Sequence, residues 1–298
     1  MLSIGLSDSS IRFLEIDKEK KISFACQVTD NFKFESFNHQ NKLTDTAINE
    51  TAEIINNVLK EIKTSPNISK MVIDTNYCFT NIIPLDFSES TDKINSDIIW
   101  ELSNYFSENY KSYKISYHKL LAESYSENIK ETLIIAVRNN LIEAIKKLSK
   151  LINIKISSID VEQFTAERYF RIIRKNLFKG ESFLVIGCRK NRFDFSIINE
   201  SGCYNYNYFI VKDSNFQDNL VKTFLKIEDD YRHLQIDNVY LYGDESTAVS
   251  YKILNESSKK ARIILSNPFY EIGITSNINP EIISEGYKFI PLCGLVLE

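Results

Sequence analysis

Residues 3–16 read SIGLSDSSIRFLEI, in which two short apolar runs flank a turn made of serines and an aspartate. Residues 183–199 read FLVIGCRKNRFDFSIIN and have the same organisation around a basic turn. Apolar runs of this length on either side of polar turn residues are typical of two neighbouring strands. The sequence therefore predicts the same strand-turn-strand element twice, once at the start of the chain and once in its last third.

The segments that follow these two hairpins are also alike. After the first we predict a strand at Lys21–Val28, a helix at Thr44–Ile62 and a buried strand at Lys70–Asp74. After the second we predict a strand at Cys203–Val211, a helix at Phe216–His233, a strand at Val239–Tyr242 and, further on, an extended segment at Asn267–Ile272. Two βββ-α-β units in one chain indicate a duplicated α/β architecture.

The segment between the two units predicts an insertion with the order βαββα. Its elements are predicted at Tyr77–Pro84, Thr91–Phe106, Tyr113–Leu121, Glu131–Val137 and Asn140–Asn153. A further strand at Lys155–Val161 would complete a ferredoxin-like βαββαβ unit if it joined the sheet of the insertion. Alternatively this strand returns to the sheet of the first unit, and the sequence leaves both arrangements open.

Composition excludes several classes of function. The 36 basic residues form no cluster and are outnumbered by 40 acidic ones, which argues against nucleic-acid binding. No apolar run approaches the roughly 18–20 residues of a membrane span, and the opening residues do not look like a signal peptide, so we expect a cytoplasmic protein. The five cysteines and three histidines lack metal-ligand spacing, which predicts reduced thiols and no metal.

Five short motifs are spread over nearly the whole chain. They lie at residues 4–16, at Ile83–Leu85 with Ile98–Leu102, at Leu133–Arg138 with Ile159–Phe164, at Asn267–Phe269 and at Cys293–Leu297. In this order they resemble motifs of the PilM family of type IV pilus assembly proteins, whose opening strand-turn-strand corresponds to residues 4–16.

The resemblance implies an actin-like α/β fold, a duplicated ribonuclease-H-like ATPase fold, with an inserted ferredoxin-like α+β subdomain. It divides the chain into a first actin-like half at 1–77, the inserted subdomain at 78–154, a return to the first half at 155–180 and a second half at 181–298. The cytoplasmic domain of GspL and an actin-like division protein are relatives that would look similar at this level.

An active member of this fold holds nucleotide phosphates with two loops that contain Asp and Gly. In the first loop Ser7 stands at the position of the expected Asp, and no glycine follows at Asp8, Ser9 or Ser10. Serine and aspartate are common turn residues, so an ordinary hairpin turn is favoured over an anion site. The resemblance therefore gives no support for a first phosphate loop.

The second loop should read approximately Asp-x-Gly-x-x-Thr-Thr. Gly187 stands at the Asp position and Arg189 at the Gly position, and the Asn191-Arg192 run brings no Thr pair. We interpret this segment as a solvated basic turn, in which bulky side chains stand where a backbone cradle is needed. An anion attracted by these basic side chains is the alternative.

The third element, which should be a glycine-rich turn near the adenosine, keeps only Gly243. Asp244 and Glu245 follow it, and two carboxylates repel a polyanionic ligand. The chain has eight glycines in 298 residues, well below the usual share of about 7%. We therefore expect a degenerate nucleotide site, no cofactor and no enzymatic activity. A nucleotide-binding ATPase of the same fold is the alternative.

The resemblance also implies a cytoplasmic scaffold in a type IV pilus or type II secretion-like complex at the inner membrane. The implied partner is the short cytoplasmic N-terminal tail of a bitopic protein, PilN, through which alone the chain would reach the membrane. We expect the tail to bind between the helix at Thr44–Ile62 and the insertion, and self-association stays an open alternative. The candidate contacts are Ile83, Leu85, Trp100 and Tyr105, although a core position is favoured for Trp100.

Overall fold

The computed structural model describes residues 1–7, 10–29, 44–62, 66–106, 110–122, 126–174, 181–211, 216–244, 246–258 and 260–297. These residues form two compact units. The first unit takes its residues from Met1–Lys33, Thr64–Asp74 and Ile156–Glu298, and the second from Phe34–Lys63 and Thr75–Lys155.

The strands and helices of the described residues follow one another in an alternating α/β order. The strands are β1 (Leu2–Leu6), β2 (Ile11–Ile16), β3 (Ile22–Val28), β4 (Ile68–Ile73), β5 (Cys78–Asp86), β6 (Tyr113–Lys119), β7 (Ile129–Arg138), β8 (Lys155–Val161), β9 (Phe183–Arg189), β10 (Arg192–Asn199), β11 (Gly202–Ile210), β12 (Asn238–Gly243) and β13 (Arg262–Leu265). The helices are α1 (Asp45–Leu59), α2 (Thr91–Ser103), α3 (Asn139–Leu151), α4 (Glu162–Arg174), α5 (Phe216–Asp230), α6 (Ser246–Ser257), α7 (Pro268–Glu271), α8 (Pro280–Ser284) and α9 (Ile290–Val296).

The first unit contains two five-stranded sheets with the same strand order. One sheet runs β3-β2-β1-β4-β8 and the other β11-β10-β9-β12-β13. In the first sheet β1 pairs antiparallel with β2 and parallel with β4, and in the second sheet β9 pairs antiparallel with β10 and parallel with β12. The central strands are apolar and buried on both faces, as strands covered by helices on both sides must be. The predicted duplication of the α/β architecture is confirmed.

Helix α9 follows α8 in the described residues and was not predicted from the sequence. It is buried over almost its whole length and packs closely on α4. A Cβ atom on Gly294 would lie 1.8 Å from the carbonyl oxygen of Thr165, so only glycine permits this approach. The extended segment predicted at Asn267–Ile272 is wrong. There the Asn267 side chain accepts a hydrogen bond from the Phe269 N–H and begins the short helix α7.

The second unit contains the insertion and α1. Its antiparallel sheet has the order β5-β7-β6. On β7, Ile134 and Ala136 face the apolar side of α2, and Leu133 and Ile135 are buried on the opposite face because side chains alternate along a strand. Helix α3 packs against β7 and α1, and Lys147 Nζ lies 3.0 Å from Asp45 Oδ1.

Strand β8 pairs with β4 in the first sheet. The sequence left two arrangements open for this strand, and the correct one is its return to the sheet formed by the opening strands. The insertion therefore has the βαββα order of a ferredoxin-like unit without its last strand. The compact unit that holds it runs from Thr75 to Lys155 and also includes α1, which the predicted boundaries assigned to the first half. Within the described residues, no helix is both long enough and apolar enough to span a bilayer.

Candidate functional site

The turn between β1 and β2 is closed by its own serines. Ser7 and Ser10 are buried, and the Ser7 N–H donates to the Ser10 carbonyl at 3.0 Å. The Ser7 hydroxyl lies 3.0 Å from the Ser10 hydroxyl and accepts from the Ser10 N–H at 3.2 Å. Asp8 and Ser9, the other two predicted site residues here, lie outside the described residues. Both described serines use their hydrogen-bonding groups within the turn.

The segment predicted as a second phosphate loop is mostly strand. Strand β9 continues through Gly187 to Arg189, and β10 begins at Arg192, so only Lys190 and Asn191 form the turn. Two residues are the length of a tight β-hairpin turn. Of its two backbone N–H groups, that of Lys190 already donates to the Asp244 carboxylate at 2.8 Å and is taken up before any phosphate could use it.

The Arg189 side chain is 2% exposed, so the interpretation of this segment as a solvated basic turn is wrong for this residue, although Lys190 and Asn191 are exposed. Its guanidinium lies among three carboxylates from three different elements. Arg189 Nε is 3.1 Å from Asp74 Oδ1, Nη2 is 2.8 Å from Glu162 Oε2, and Nη1 is 3.2 Å from Asp194 Oδ2. Nη2 also donates to the Tyr242 hydroxyl at 3.0 Å. Five N–H groups in a fixed planar fork suit such multiple contacts, which lysine could not reproduce.

Burial alone would lower the pKa of Arg189. The Tyr242 oxygen and the three carboxylates outweigh that effect and raise the pKa well above its ordinary value. The guanidinium is therefore charged at every accessible pH, and it is fully compensated by its neighbours.

Two more arginines complete the cluster. Arg12 Nη1 lies 3.6 Å from Glu162 Oε1, and Arg192 Nε donates to Asp194 Oδ1 at 2.9 Å. Three guanidinium groups thus face three carboxylates, and all six side chains are buried. We call this set the buried ion cluster; its members are Arg12, Asp74, Glu162, Arg189, Arg192 and Asp194. Buried charges persist in proteins only when they are paired in this way.

Arg192 is also buried, which contradicts its predicted place in a solvated turn. Its Nη2 donates to the Tyr206 hydroxyl at 2.7 Å, and its guanidinium lies 4.2 Å from the centre of the Tyr208 ring. The Tyr206 hydroxyl in turn donates to Asp194 Oδ1 at 2.5 Å. Burial lowers the pKa of Arg192, but Asp194 and Tyr206 more than reverse this and leave it raised.

A neutral hydrogen-bond chain extends from the cluster towards α4. The Tyr242 hydroxyl donates to Gln163 Oε1 at 2.6 Å, the Gln163 amide donates to Ser196 Oγ at 2.8 Å, and Ser196 Oγ donates to Glu167. Burial raises the pKa of the Glu167 carboxyl to about 7. The hydrogen bond from Ser196 and the charge of Arg171 lower this pKa but only partly offset the effect of burial. Glu167 is therefore the group of this region whose charge changes near neutral pH.

Gly187 lies beside both this hydrogen-bond chain and the buried ion cluster. A Cβ atom there would lie 2.6 Å from each of three polar atoms, Arg189 Nη1, Gln163 Oε1 and the Tyr242 oxygen. Glycine at the position of the expected catalytic Asp thus makes room for the Arg189 guanidinium.

The third predicted element lies between the end of β12 and the start of α6. Gly243 has φ +136°, and a Cβ atom on it would lie 2.0 Å from the Cys188 carbonyl oxygen, so the close approach of β9 explains this glycine. The Asp244 carboxylate accepts hydrogen bonds from the Lys190 N–H at 2.8 Å and from the Ser246 N–H at 2.9 Å, at the start of α6. The carboxylate occupies backbone donors that an anion would otherwise use. Glu245 lies outside the described residues.

The candidate peptide contacts on the second unit fall into two pairs. Ile83 and Leu85 are buried in the core beneath α2. Trp100 on α2 is 68% exposed and Tyr105, just after it, is 55% exposed, so the expectation that Trp100 belongs to the core is wrong. The Tyr105 ring lies 5.3 Å from that of Phe79. We call these two exposed aromatic residues, Trp100 on α2 and Tyr105 just after it, the α2 aromatic surface.

The α2 aromatic surface does not lie where the tail was expected to bind. Helix α1 packs directly on α3, whereas α2 packs on β5 and on the turn at Tyr110–Ser112. The helix at Thr44–Ile62 and the candidate contacts therefore belong to different packing layers of the second unit.

The described residues contain no group of three or more His, Cys, Asp or Glu side chains arranged to hold a metal ion. The five cysteines are free thiols. Burial raises the pKa of the Cys188 thiol to about 12, so this side chain is a neutral thiol at neutral pH.

The three carboxylates that bind Arg189 were not predicted from the sequence as site residues. Asp74 ends a predicted strand, Glu162 lies in the Ile159–Phe164 motif, and Asp194 lies within a predicted strand, and none was proposed as a site residue. A charged residue inside an apolar strand, as in Phe193-Asp194-Phe195, is the one local signal that could have indicated a buried ion pair.

The fold is actin-like, as its similarity to solved structures shows. A Bacteroides thetaiotaomicron protein with an actin-like ATPase fold and unknown function has a TM-score of 0.52 and 13% identity, covering 91% of this chain and 93% of that chain. The cytoplasmic domain of EpsL, an inner-membrane component of the type II secretion system of Vibrio cholerae, has a TM-score of 0.51 and 6% identity, covering 100% of this chain and 94% of that one.

A structure of the PilM-PilN type IV pilus biogenesis complex matches with a TM-score of 0.73 and 12% identity, over 99% of this chain and 97% of the other. The model of the type IV pilus assembly protein PilM family matches residues 3–206. The chain belongs to the PilM family, which confirms the resemblance found in the sequence. A comparison with curated protein sequences gives no match.

Proposed function

We propose that this type IV pilus assembly protein is a non-catalytic scaffold whose nucleotide site is degenerate. It would bind the cytoplasmic N-terminal tail of a PilN-like membrane protein and reach the inner membrane through that partner. The observation that carries the first part is the position of the Arg189 guanidinium, which fills the space beside Gly187 and is bound by three carboxylates.

A nucleotide would have to displace groups that already satisfy one another. Its phosphates would meet the carboxylates of Asp74, Glu162 and Asp194 once Arg189 had moved away, and like charges in a buried site repel strongly. The Asp244 carboxylate adds a further negative charge at the start of α6 and takes up two backbone donors. These arrangements support loss of hydrolysis and loss of tight nucleotide binding together.

The α2 aromatic surface supports the second part of the proposal. Trp100 and Tyr105 are large, exposed and lie on or just after helix α2, and tryptophan and tyrosine are among the residues most often found at the energetic centres of protein interfaces. Ile83 and Leu85 are too buried to touch a peptide and would act by supporting α2. The complex of a relative with PilN supports a partner of this type.

Calorimetric titration of the purified chain with Mg-ATP tests the first part. We expect no saturable heat at nucleotide concentrations up to the low millimolar range. Binding in the micromolar range would contradict the proposal and favour an actin-like ATPase.

Trp100 is the only tryptophan of the chain, so its fluorescence reports directly on the α2 aromatic surface. Titration with a synthetic peptide of the N-terminal tail of the PilN-like protein from the same organism should shift the emission to shorter wavelength. Trp100→Ala should weaken binding, measured by calorimetry, about tenfold or more. Tyr270→Ala, which truncates an exposed aromatic residue of the first unit, is the matched control and should bind normally. Equal affinities of the two variants would exclude this surface.

A further inference from the structure

We propose that Arg189 acts as an internal ligand that joins the two five-stranded sheets of the first unit and holds them in one arrangement without nucleotide. This inference concerns the mechanics of the first unit and does not depend on the identity of any partner.

The contacts of Arg189 run from one sheet to the other. Arg189 lies on β9 of the second sheet, whereas Asp74 directly follows β4 of the first sheet and is fixed there by its N–H, which donates to the Leu6 carbonyl at 3.0 Å. Glu162 is the first residue of α4, directly after β8 of the first sheet, and binds Arg189 through Nε at 3.0 Å and Nη2 at 2.8 Å. One side chain thus binds the ends of two strands of the opposite sheet.

Neighbouring hydrogen bonds also join the second sheet to α4, the helix that follows β8 of the first sheet. Tyr242 on β12 donates to Gln163 on α4, and Ser196 on β10 is bound to both Gln163 and Glu167 of α4. Arg12 on β2 lies on the far side of Glu162 and leaves that carboxylate between two guanidinium groups. This part of the junction is therefore polar and buried, and it lies beside an apolar core that also includes residues of both sheets.

The charge balance explains why the junction needs no outside group. Without Arg189, two guanidinium groups would face three carboxylates, and the carboxylates at the centre would lose their shared cation. Removal of one partner from a buried ion pair is strongly destabilising because an uncompensated charge remains. A ligand that bridged the sheets would have to bring positive charge, which is the opposite of what a nucleotide brings.

The test is chemical rescue of Arg189→Ala in the full chain. The variant should unfold about 5–10 °C below the unaltered protein. Methylguanidinium chloride at low millimolar concentration should recover part of this loss, whereas potassium chloride at equal ionic strength should not. Lys190→Ala in the same turn is the matched control, because only its backbone N–H takes part, and it should change little and show no rescue. An unchanged melting temperature, or equal effects of the two salts, would overturn the proposal.

Arg189→Lys keeps the charge and tests the inference if the alanine variant does not fold. Hydrogen exchange should become faster in β4 of the first sheet, although the substitution lies on β9 of the second, because one ammonium group cannot bind both Asp74 and Glu162 as the guanidinium does. Faster exchange confined to β9 and β10 would mean that Arg189 serves only its own sheet, and the proposal would then be wrong.

Discussion

The first unit buries a group of charged side chains, whereas the second unit exposes the only tryptophan of the chain. In the buried ion cluster, the charges of three arginines and three carboxylates balance, with nitrogen–oxygen distances of 2.8 to 3.6 Å. On α2, Ile94, Ile98 and Leu102 cover the sheet, and Trp100 lies on the other side of the same helix. The comparison teaches that partners in space decide whether a side chain is buried, and residue type alone does not.

The two regions should also differ in how they tolerate substitution. Every group of the buried ion cluster is needed to neutralise another, so a change there acts on the folded state. The α2 aromatic surface contributes little to the fold, so a change there should act on binding. The following experiments test this difference, from the largest expected effect to the smallest.

Asp194→Asn should lower the free energy of unfolding by about 3–5 kcal/mol, because Arg189 and Arg192 would share one carboxylate charge fewer in a buried site. Urea unfolding followed by circular dichroism measures the change. Asp237→Asn, an exposed position before β12, is the control and should stay within about 0.5 kcal/mol. Similar small effects at both positions would show that the cluster does not stabilise the fold.

Glu167→Gln should change how stability depends on pH. The pKa of Glu167 is about 7 in the folded protein and 4.5 in a model compound, so the folded state binds a proton between these values that the unfolded state has lost. This contribution to stability is complete below pH 4.5 and disappears as the pH rises through 7, a loss of about 3 kcal/mol. The glutamine variant lacks this titration, so its stability relative to the unaltered protein should rise from pH 5 to pH 8.

Denaturant unfolding at several pH values measures this difference between the two proteins. Glu200→Gln, on the exposed turn between β10 and β11, is the control and should give a profile parallel to that of the unaltered protein. A parallel profile for Glu167→Gln as well would mean that Glu167 does not titrate near neutral pH.

Gly187→Ala should lower the free energy of unfolding by about 1–3 kcal/mol, because its methyl group would press on Arg189, Gln163 and Tyr242. The urea midpoint should fall with an unchanged slope. A variant as stable as the unaltered protein would show that the space beside Gly187 is larger than the contacts indicate.

Trp100→Ala should change the free energy of unfolding by no more than about 0.5 kcal/mol, since the indole is mostly exposed. Ile98→Ala, two residues earlier on the same helix, removes a buried side chain and should cost about 2–5 kcal/mol. Circular dichroism must follow both, because the first variant has no tryptophan. A large loss at Trp100 would place that residue in the core and remove the difference between the two regions.

The sequence by itself determined the duplicated α/β order, the insertion and the family, because apolar periodicity and turn residues are local properties of the chain. From Ser7, Arg189 and Asp244 it also led us to expect a degenerate nucleotide site, which stays a prediction. It did not predict α9, whose one glycine is required by a contact with α4 more than a hundred residues away in the chain.

Only the tertiary structure decided the fate of the charged and aromatic residues. Arg189 was interpreted as solvated because its neighbours in sequence are basic and polar, whereas the carboxylates that bury it come from β4, α4 and β10. A core position was favoured for Trp100, but the apolar side of α2 is filled by Ile94, Ile98 and Leu102. Burial depends on long-range electrostatic and packing partners, and those exist only once the strands have assembled.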